Sequence, residues 1–155
     1  MSIDHGPCRP AAGIADATFL LALFLWEQAR SESVRVREAL AAAVANQVRA
    51  WQTESVGAGA SKDASARALL FIACLDREER GAAAPPPPAA DPVFAACRRI
   101  AQRAVNGAIC DPTGGATRFH RLGRRPAWAA SGESASLIGP FLFYRGETLF
   151  PIRKL

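Results

Sequence analysis

Residues 17–51 read ATFLLALFLWEQARSESVRVREALAAAVANQVRAW, and the fold is decided by how this stretch divides. From Ile14 to Ala29 the chain is apolar on nearly every side. A helix of that texture has no face to give to water, so it is expected to lie centrally in the core. An acid and an amide, Glu27 and Gln28, stand where it ends. Ser31 or Ser33 then offers a side-chain oxygen able to cap a second helix. In that helix, running to about Trp51, Val36, Ala39, Leu40, Ala43, Val44 and Val48 recur at helical spacing, with Arg35, Arg37, Glu38 and Arg49 elsewhere. The spacing predicts two helices meeting at a corner that spans Glu27 to Glu32. Such a corner is either a chemical site or a plain junction. In a plain junction Glu32 favours the dipole of the next helix, and Glu27 is a solvated acid paired with Arg30.

The same stretch bounds the relation to membranes. The run Ala17–Trp26 is about half of the ~20 residues that a spanning helix needs. Asp16 precedes it and Trp26-Glu27-Gln28 follows, where a signal peptide would have basic residues before and small residues after. No export signal and no membrane span are expected.

Outward from this stretch the chain changes texture several times. Residues 1–13 hold two Pro and two Gly and read as an irregular arm. TESVGAGASKDAS is a connection, and Ala66–Arg80 (ARALLFIACLDREER) reads as a third helix. Pro85 to Pro88 cannot form helix interior, and they mark a Pro-rich loop over residues 81–92. Asp91-Pro92 is an N-cap followed by a first-turn proline, opening a helix that closes at Gly107. DPTGGATRFH then combines turn residues with a strand-like end. SLIGPFLFYR places Gly139-Pro140 between two apolar segments, the pattern of a hairpin. The expected class is α+β: mainly helical, with a small antiparallel sheet in the C-terminal third. The expected organisation is the arm at 1–13 and one domain over 14–155.

The chain has 155 residues, 50% hydrophobic and 21% charged, which suits one globular domain with a real core. Its net charge of +5 is uneven: ten bases and three acids follow from Arg98 onward. A basic C-terminal part favours an anionic partner. Nucleic acid is not expected, because the arginines are not interleaved with the aromatic platforms that single strands prefer. The cysteines, Cys8, Cys74, Cys97 and Cys110, form no C-x-x-C pair, and only His5 and His120 could join them. No metal and no cofactor are expected.

The C-terminal third carries a resemblance. DPVFAACRRIAQRAVNGAICDPTGGATRFHRLGRRPAWAA, followed by LIGPFLFYR, resembles the cell wall hydrolases of the spore cortex-lytic (SleB/CwlJ) family. An amphipathic helix leads into D-P-T-G-G-A, a strand with an aromatic and a His ends in a Pro-x-Trp segment, and I-G-x-x-x-F-Y-R closes the domain. The N-terminal EQARSES…ALAAAVANQVR is similar to that family's Glu-Ala-Arg-Gly-Glu helix end and the helix closing in Asn-Arg-Val. The resemblance covers about residues 17–51 and 91–146. The segment between them lacks the Cys- and Trp-containing stretch of the family.

The resemblance implies a lysozyme/lytic-transglycosylase-like fold and cleavage of peptidoglycan glycan strands by a single glutamate. That acid protonates the glycosidic oxygen and then takes a proton from the C6 hydroxyl of the sugar. Burial would raise its pKa toward neutrality. Counting without a gap from Ala29-Arg30 to Asn46 puts Gln28 at the family's glutamate position. An amide cannot donate and recover a proton, and general acid–base catalysis typically contributes ~10²–10⁴-fold. The catalytic candidates are therefore Glu27, Gln28 and Glu32, with Glu27 reaching the cleft only if the helix end unwinds. The resemblance also implies substrate-binding roles for Asp111, Thr113, Gly114, Gly115, Phe119, His120, Trp128 and Tyr144. Gly114 and Gly115 are expected beside the corner. Arg118, Arg121, Arg124 and Arg125 could hold muropeptide carboxylates or form a solvated basic face. The alternative is a degenerate member that binds glycan strands or serves a phage-like particle or envelope assembly. The site of action would be the cell wall or periplasm, reached by such a particle or by lysis.

Overall fold

The computed structural model describes residues 14–54, 87–88, 90–123, 129 and 135–145. The arm at 1–13, the helix expected at Ala66–Arg80 and most of the Pro-rich loop lie outside the described residues, as do Cys8, Cys74, Arg124, Arg125 and Trp128. Among the described residues the order is α1 (Ile14–Ala29), α2 (Val34–Glu54), α3 (Pro92–Val105), β1 (Arg118–Arg121), β2 (Ala135–Ile138) and β3 (Phe141–Tyr144). No described helix is long and apolar enough to cross a membrane.

Helix α1 ends at the expected residue, and its apolar circumference is used. Leu21, Ala22, Phe24, Leu25, Trp26 and Ala29 are buried, while Phe19 alone among residues 19–25 is exposed. Its most extensive partner is α3. Phe19 meets Phe94 there edge to face, with ring centroids 6.0 Å apart.

Ser33 caps α2: its hydroxyl oxygen accepts from the Val36 N–H at 3.4 Å. Asp91 caps α3 by accepting from the Val93 and Phe94 N–H groups at 2.8 and 3.3 Å. The proline that follows costs nothing there, because its missing N–H would have been an orphan. Asn106 closes α3, and Gly107 follows at φ 72°, a left-handed conformation that glycine adopts without steric cost.

The sheet has the order β1-β3-β2, and both pairings are antiparallel. Gly139-Pro140 is the two-residue connection of the β2–β3 hairpin. Strand alternation separates two faces. Phe119, Phe141, Phe143 and Ile138 point into the core, where Phe119 meets Phe24 of α1 at 5.9 Å between centroids. His120 and Tyr144 stand on the opposite face, the rings stacked at 5.4 Å. Phe141 and Phe143, 2% and 1% exposed, anchor the sheet, each contributing about 1.5–3 kcal/mol by burial.

Two contacts, one just before β3 and one just after it, relate the sheet to α2. At the start of β3, a Cβ on Gly139 would meet Val36 near the head of α2. At its end, Arg145 lies on the DPTGGA loop, which is tied to α2 at Asn46. Ten helical residues separate Val36 from Asn46, or about 15 Å of rise.

Candidate functional site

Helix α1 remains helical through Ala29. Residues 27 and 28 therefore project about 100° apart. Gln28 follows Phe24 by one turn, on the side that faces the sheet. Glu27 follows Leu23, a partly buried position on the less covered side of the helix. The unwinding that would bring Glu27 round to the sheet-facing side is not present.

The end of α1 is fastened to the sheet. The Arg121 Nη2 donates to the Gln28 carbonyl at 2.6 Å, across 93 residues of sequence. Its guanidinium also lies 4.7 Å over the Phe141 ring. A cation at the C-terminal end of a helix is favoured by the dipole and satisfies an orphan carbonyl. On the far side of α1, the Arg30 guanidinium lies 4.8 Å over Trp26, whose indole N–H donates to Asp91 at 3.2 Å.

Glu32 completes the corner. Its Oε2 would be 3.8 Å from a Cβ on Gly139, so its carboxylate stands beside the hairpin turn. The Glu32 carbonyl accepts from Arg37 Nη2 at 2.9 Å. Glu27, Gln28 and Glu32 are each partly buried. Arg37 is buried between α2 and α3, against the Cys97 thiol. Burial pushes that thiol above its ordinary range, and the nearby Arg37 charge and hydrogen bond only partly offset the effect.

The second cluster of expected residues lies at the other end of the sheet. Asp111 Oδ1 accepts from the Thr113 N–H at 2.8 Å and the Thr113 hydroxyl at 2.6 Å. Its Oδ2 accepts from the Gly115 N–H at 2.8 Å and the Asn46 amide at 2.9 Å. The Asn46 amide also donates to the Ala116 carbonyl at 2.9 Å, and the Thr113 hydroxyl accepts from the Ala116 N–H at 3.1 Å. Burial raises the Asp111 carboxyl, but the hydrogen bonds from Thr113, Asn46 and Gly115 outweigh it and hold the group below its ordinary value. These side chains build the loop, and Thr113 is 2% exposed. Gly114 and Gly115 adopt φ 67° and 94°, which the tight loop demands. A Cβ on Gly114 would strike the Arg145 guanidinium, whereas Gly115 faces open space. The two glycines thus sit along α2 from the corner and not beside it.

The sheet divides the remaining candidates. Phe119 is packed among Phe24, Phe141 and Phe143. His120 Nδ1 lies 2.9 Å from the Arg121 carbonyl, which can only accept, so Nδ1 carries a proton. In the neutral ring Nε2 then accepts from the Tyr144 hydroxyl at 2.8 Å. Tyr144 is buried and stacked on His120, and both stand on the face of the sheet opposite Phe119. Trp128 lies outside the described residues. Among the described residues, no group of three or more His, Cys, Asp or Glu side chains could hold a metal ion.

Sequence reading placed Arg121 in a basic cluster without singling it out. Strand alternation with Phe119 was the one signal that it stands on the α1 side of the sheet, where it is exposed.

No protein-family model and no curated protein matches the sequence. The fold is similar to a solved structure, the catalytic domain of the Bacillus cereus SleB protein. The TM-score is 0.54 with 18% sequence identity, over 88% of this chain and 94% of that domain. The likeness establishes a SleB-like α+β fold.

Proposed function

We propose that this protein binds peptidoglycan glycan strands at the α1–α2 corner, on a scaffold like that of a cell wall hydrolase, without cutting them. The observation that carries the reading is the position of Gln28. It lies on an unbroken helix end, one turn beyond Phe24, which packs on Phe119 of the sheet, and its carbonyl is held by Arg121. The SleB-like fold supports the substrate class. An amide where the resemblance implies a titrating acid supports recognition in place of cleavage, since hydrogen bonding to sugar hydroxyls needs no proton transfer.

Purified sacculi test the proposal. Wild-type protein is expected to co-sediment with them and to release no soluble anhydromuropeptides. Absence of binding overturns the reading. A second reading, slow lytic cleavage through Glu32, is favoured by the carboxylate standing beside the Gly139–Pro140 turn. It is supported instead if wild type releases fragments and Glu32→Gln stops the release. Release that stops only with Glu27→Gln would shift the active register by one residue.

A further inference from the structure

We propose that Arg121 is the residue that commits this corner to binding: its guanidinium stands where it would hold any acid at position 28 in its ionised form. The inference rests on the reading of position 28 given above, but its test does not require peptidoglycan.

Three features fix Arg121 in place. One Nη donates to the Gln28 carbonyl at 2.6 Å. The guanidinium plane lies 4.7 Å over the Phe141 ring. The strand that carries it is held to β3 along its whole length, Arg121 opposite Phe141. A cation bonded to the backbone of residue 28 is within a side chain's reach of that residue's own terminal atoms. With Gln at 28 the pair is neutral on one side, and the guanidinium costs the site nothing. With a glutamate at 28, the same guanidinium becomes a counter-charge. An opposite charge within about 4–6 Å favours the ionised carboxyl by roughly one to three pKa units. A general acid must instead be held protonated near neutrality. Arg121 therefore opposes the proton-donor role, and restoring the acid alone does not restore it.

Among the described residues, the other charged groups around the corner do not take this part. Glu27 points about 100° away on α1. Arg30 lies over Trp26, on the α3 side of α1, where that indole meets Asp91. Glu32 is like-charged, and would raise the carboxyl. Arg37 is buried against Cys97 and the Glu32 carbonyl. Arg35 is exposed in the first turn of α2. The turn from Gly139 to Phe141 carries no charge.

The experiment measures the side-chain carboxyl of residue 28 directly, by NMR titration of selectively labelled protein. The variants are Gln28→Glu alone and in combination with Arg121→Gln, Arg121→Lys or Arg30→Gln. Arg121→Gln keeps an amide donor for the helix-end carbonyl, and amide dispersion in each spectrum checks the fold. The expected result is a titration midpoint about one unit or more lower in Gln28→Glu than in Gln28→Glu/Arg121→Gln. Arg121→Lys is expected to retain a lowered midpoint, and the difference is expected to shrink in high salt. Equal midpoints with and without the Arg121 charge overturn the proposal. So does an effect of Arg30→Gln as large as that of Arg121→Gln. Failure of the wild type to bind sacculi would defeat the functional reading and leave this result standing.

Discussion

Asn46 and Asp111, 65 residues apart, are joined by an amide-to-carboxylate hydrogen bond of 2.9 Å. The same amide nitrogen holds the Ala116 carbonyl, so one side chain of α2 ties down both ends of the DPTGGA loop. The loop in turn delivers Thr117 to the Tyr144 carbonyl at 3.0 Å, where the β1–β3 pairing begins.

Asn46→Ala leaves a partly buried carboxylate oxygen and a backbone carbonyl each short of a donor. The expected loss is about 1–3 kcal/mol, since removing one partner strands the other in a place poor in water. Urea unfolding monitored by circular dichroism measures it. Asn46→Asp is expected to cost more, because it sets a second carboxylate against Asp111. An unchanged midpoint in both variants would mean that Asn46 does not hold the loop.

Acid should loosen the molecule at Asp111 and Asp91 together. Burial raises the Asp91 carboxyl, but hydrogen bonds from Val93, Trp26 and Phe94 and the Arg30 charge lower it further, so it lies below its ordinary value, as Asp111 does. A carboxyl whose folded pKa is depressed binds fewer protons folded than unfolded. Its contribution is complete above the ordinary value of 3.8 and is lost as pH falls toward the folded pKa. Stability is therefore expected to decline below about that pH. Asp111→Asn should be less stable at neutral pH and show a shallower acid decline. A decline as steep as wild type in both Asp111→Asn and Asp91→Asn would refute the assignment.

Gly139→Ala meets two obstacles. The residue has φ 55°, and a Cβ would lie 2.6 Å from Val36 Cγ2. The left-handed conformation alone costs an L-residue about 1–2 kcal/mol. The clash adds to it and is relieved by shortening Val36. A double-mutant cycle with Val36→Ala should give a favourable coupling of about 0.5–3 kcal/mol. Additive effects would show that the turn does not press on α2.

Cysteine labelling should be uneven. Cys97 is fully buried on α3 and its thiol is pushed up by burial, whereas Cys110 is exposed. Thiolate is the reactive form, so native protein is expected to take alkylating reagent at Cys110 well before Cys97. Peptide mapping after timed quenching reads the order. Cys97 should react only after denaturant is added, and equal native rates would contradict its burial.

Much of the local structure was written in local chemistry. Continuous apolar residues gave α1 its bounds, and Asp91 and the pair Ser31 and Ser33, of which Ser33 is the cap, marked two helix starts. Pro92 and Gly107 marked one helix at both ends, and Gly139-Pro140 marked the hairpin turn. Each signal acts within a few residues, which is why each is readable from neighbours alone. The ungapped count from Ala29-Arg30 likewise set Gln28 at the glutamate position that the resemblance implies, without any coordinates.

What the sequence could not settle was every relation between distant residues. The order β1-β3-β2 depends on which strand finds β3's free edge, and alternating residues look the same in either arrangement. Phe119 and His120 were equal candidates until register sent one into the core and the other to the opposite face. The two glycines of DPTGGA were expected at the corner, but Asn46 holds their loop a long way down α2. Arg121 was one arginine among several until the sheet carried it to the end of α1. Among the described residues, the sequence by itself determined the three helices, the Asp91 cap, the hairpin and the amide at position 28, because those rest on backbone geometry and spacing. Only the tertiary structure decided which side chains meet the helix end that carries it, because long-range contacts are fixed by packing the whole core and leave no periodic trace in the chain.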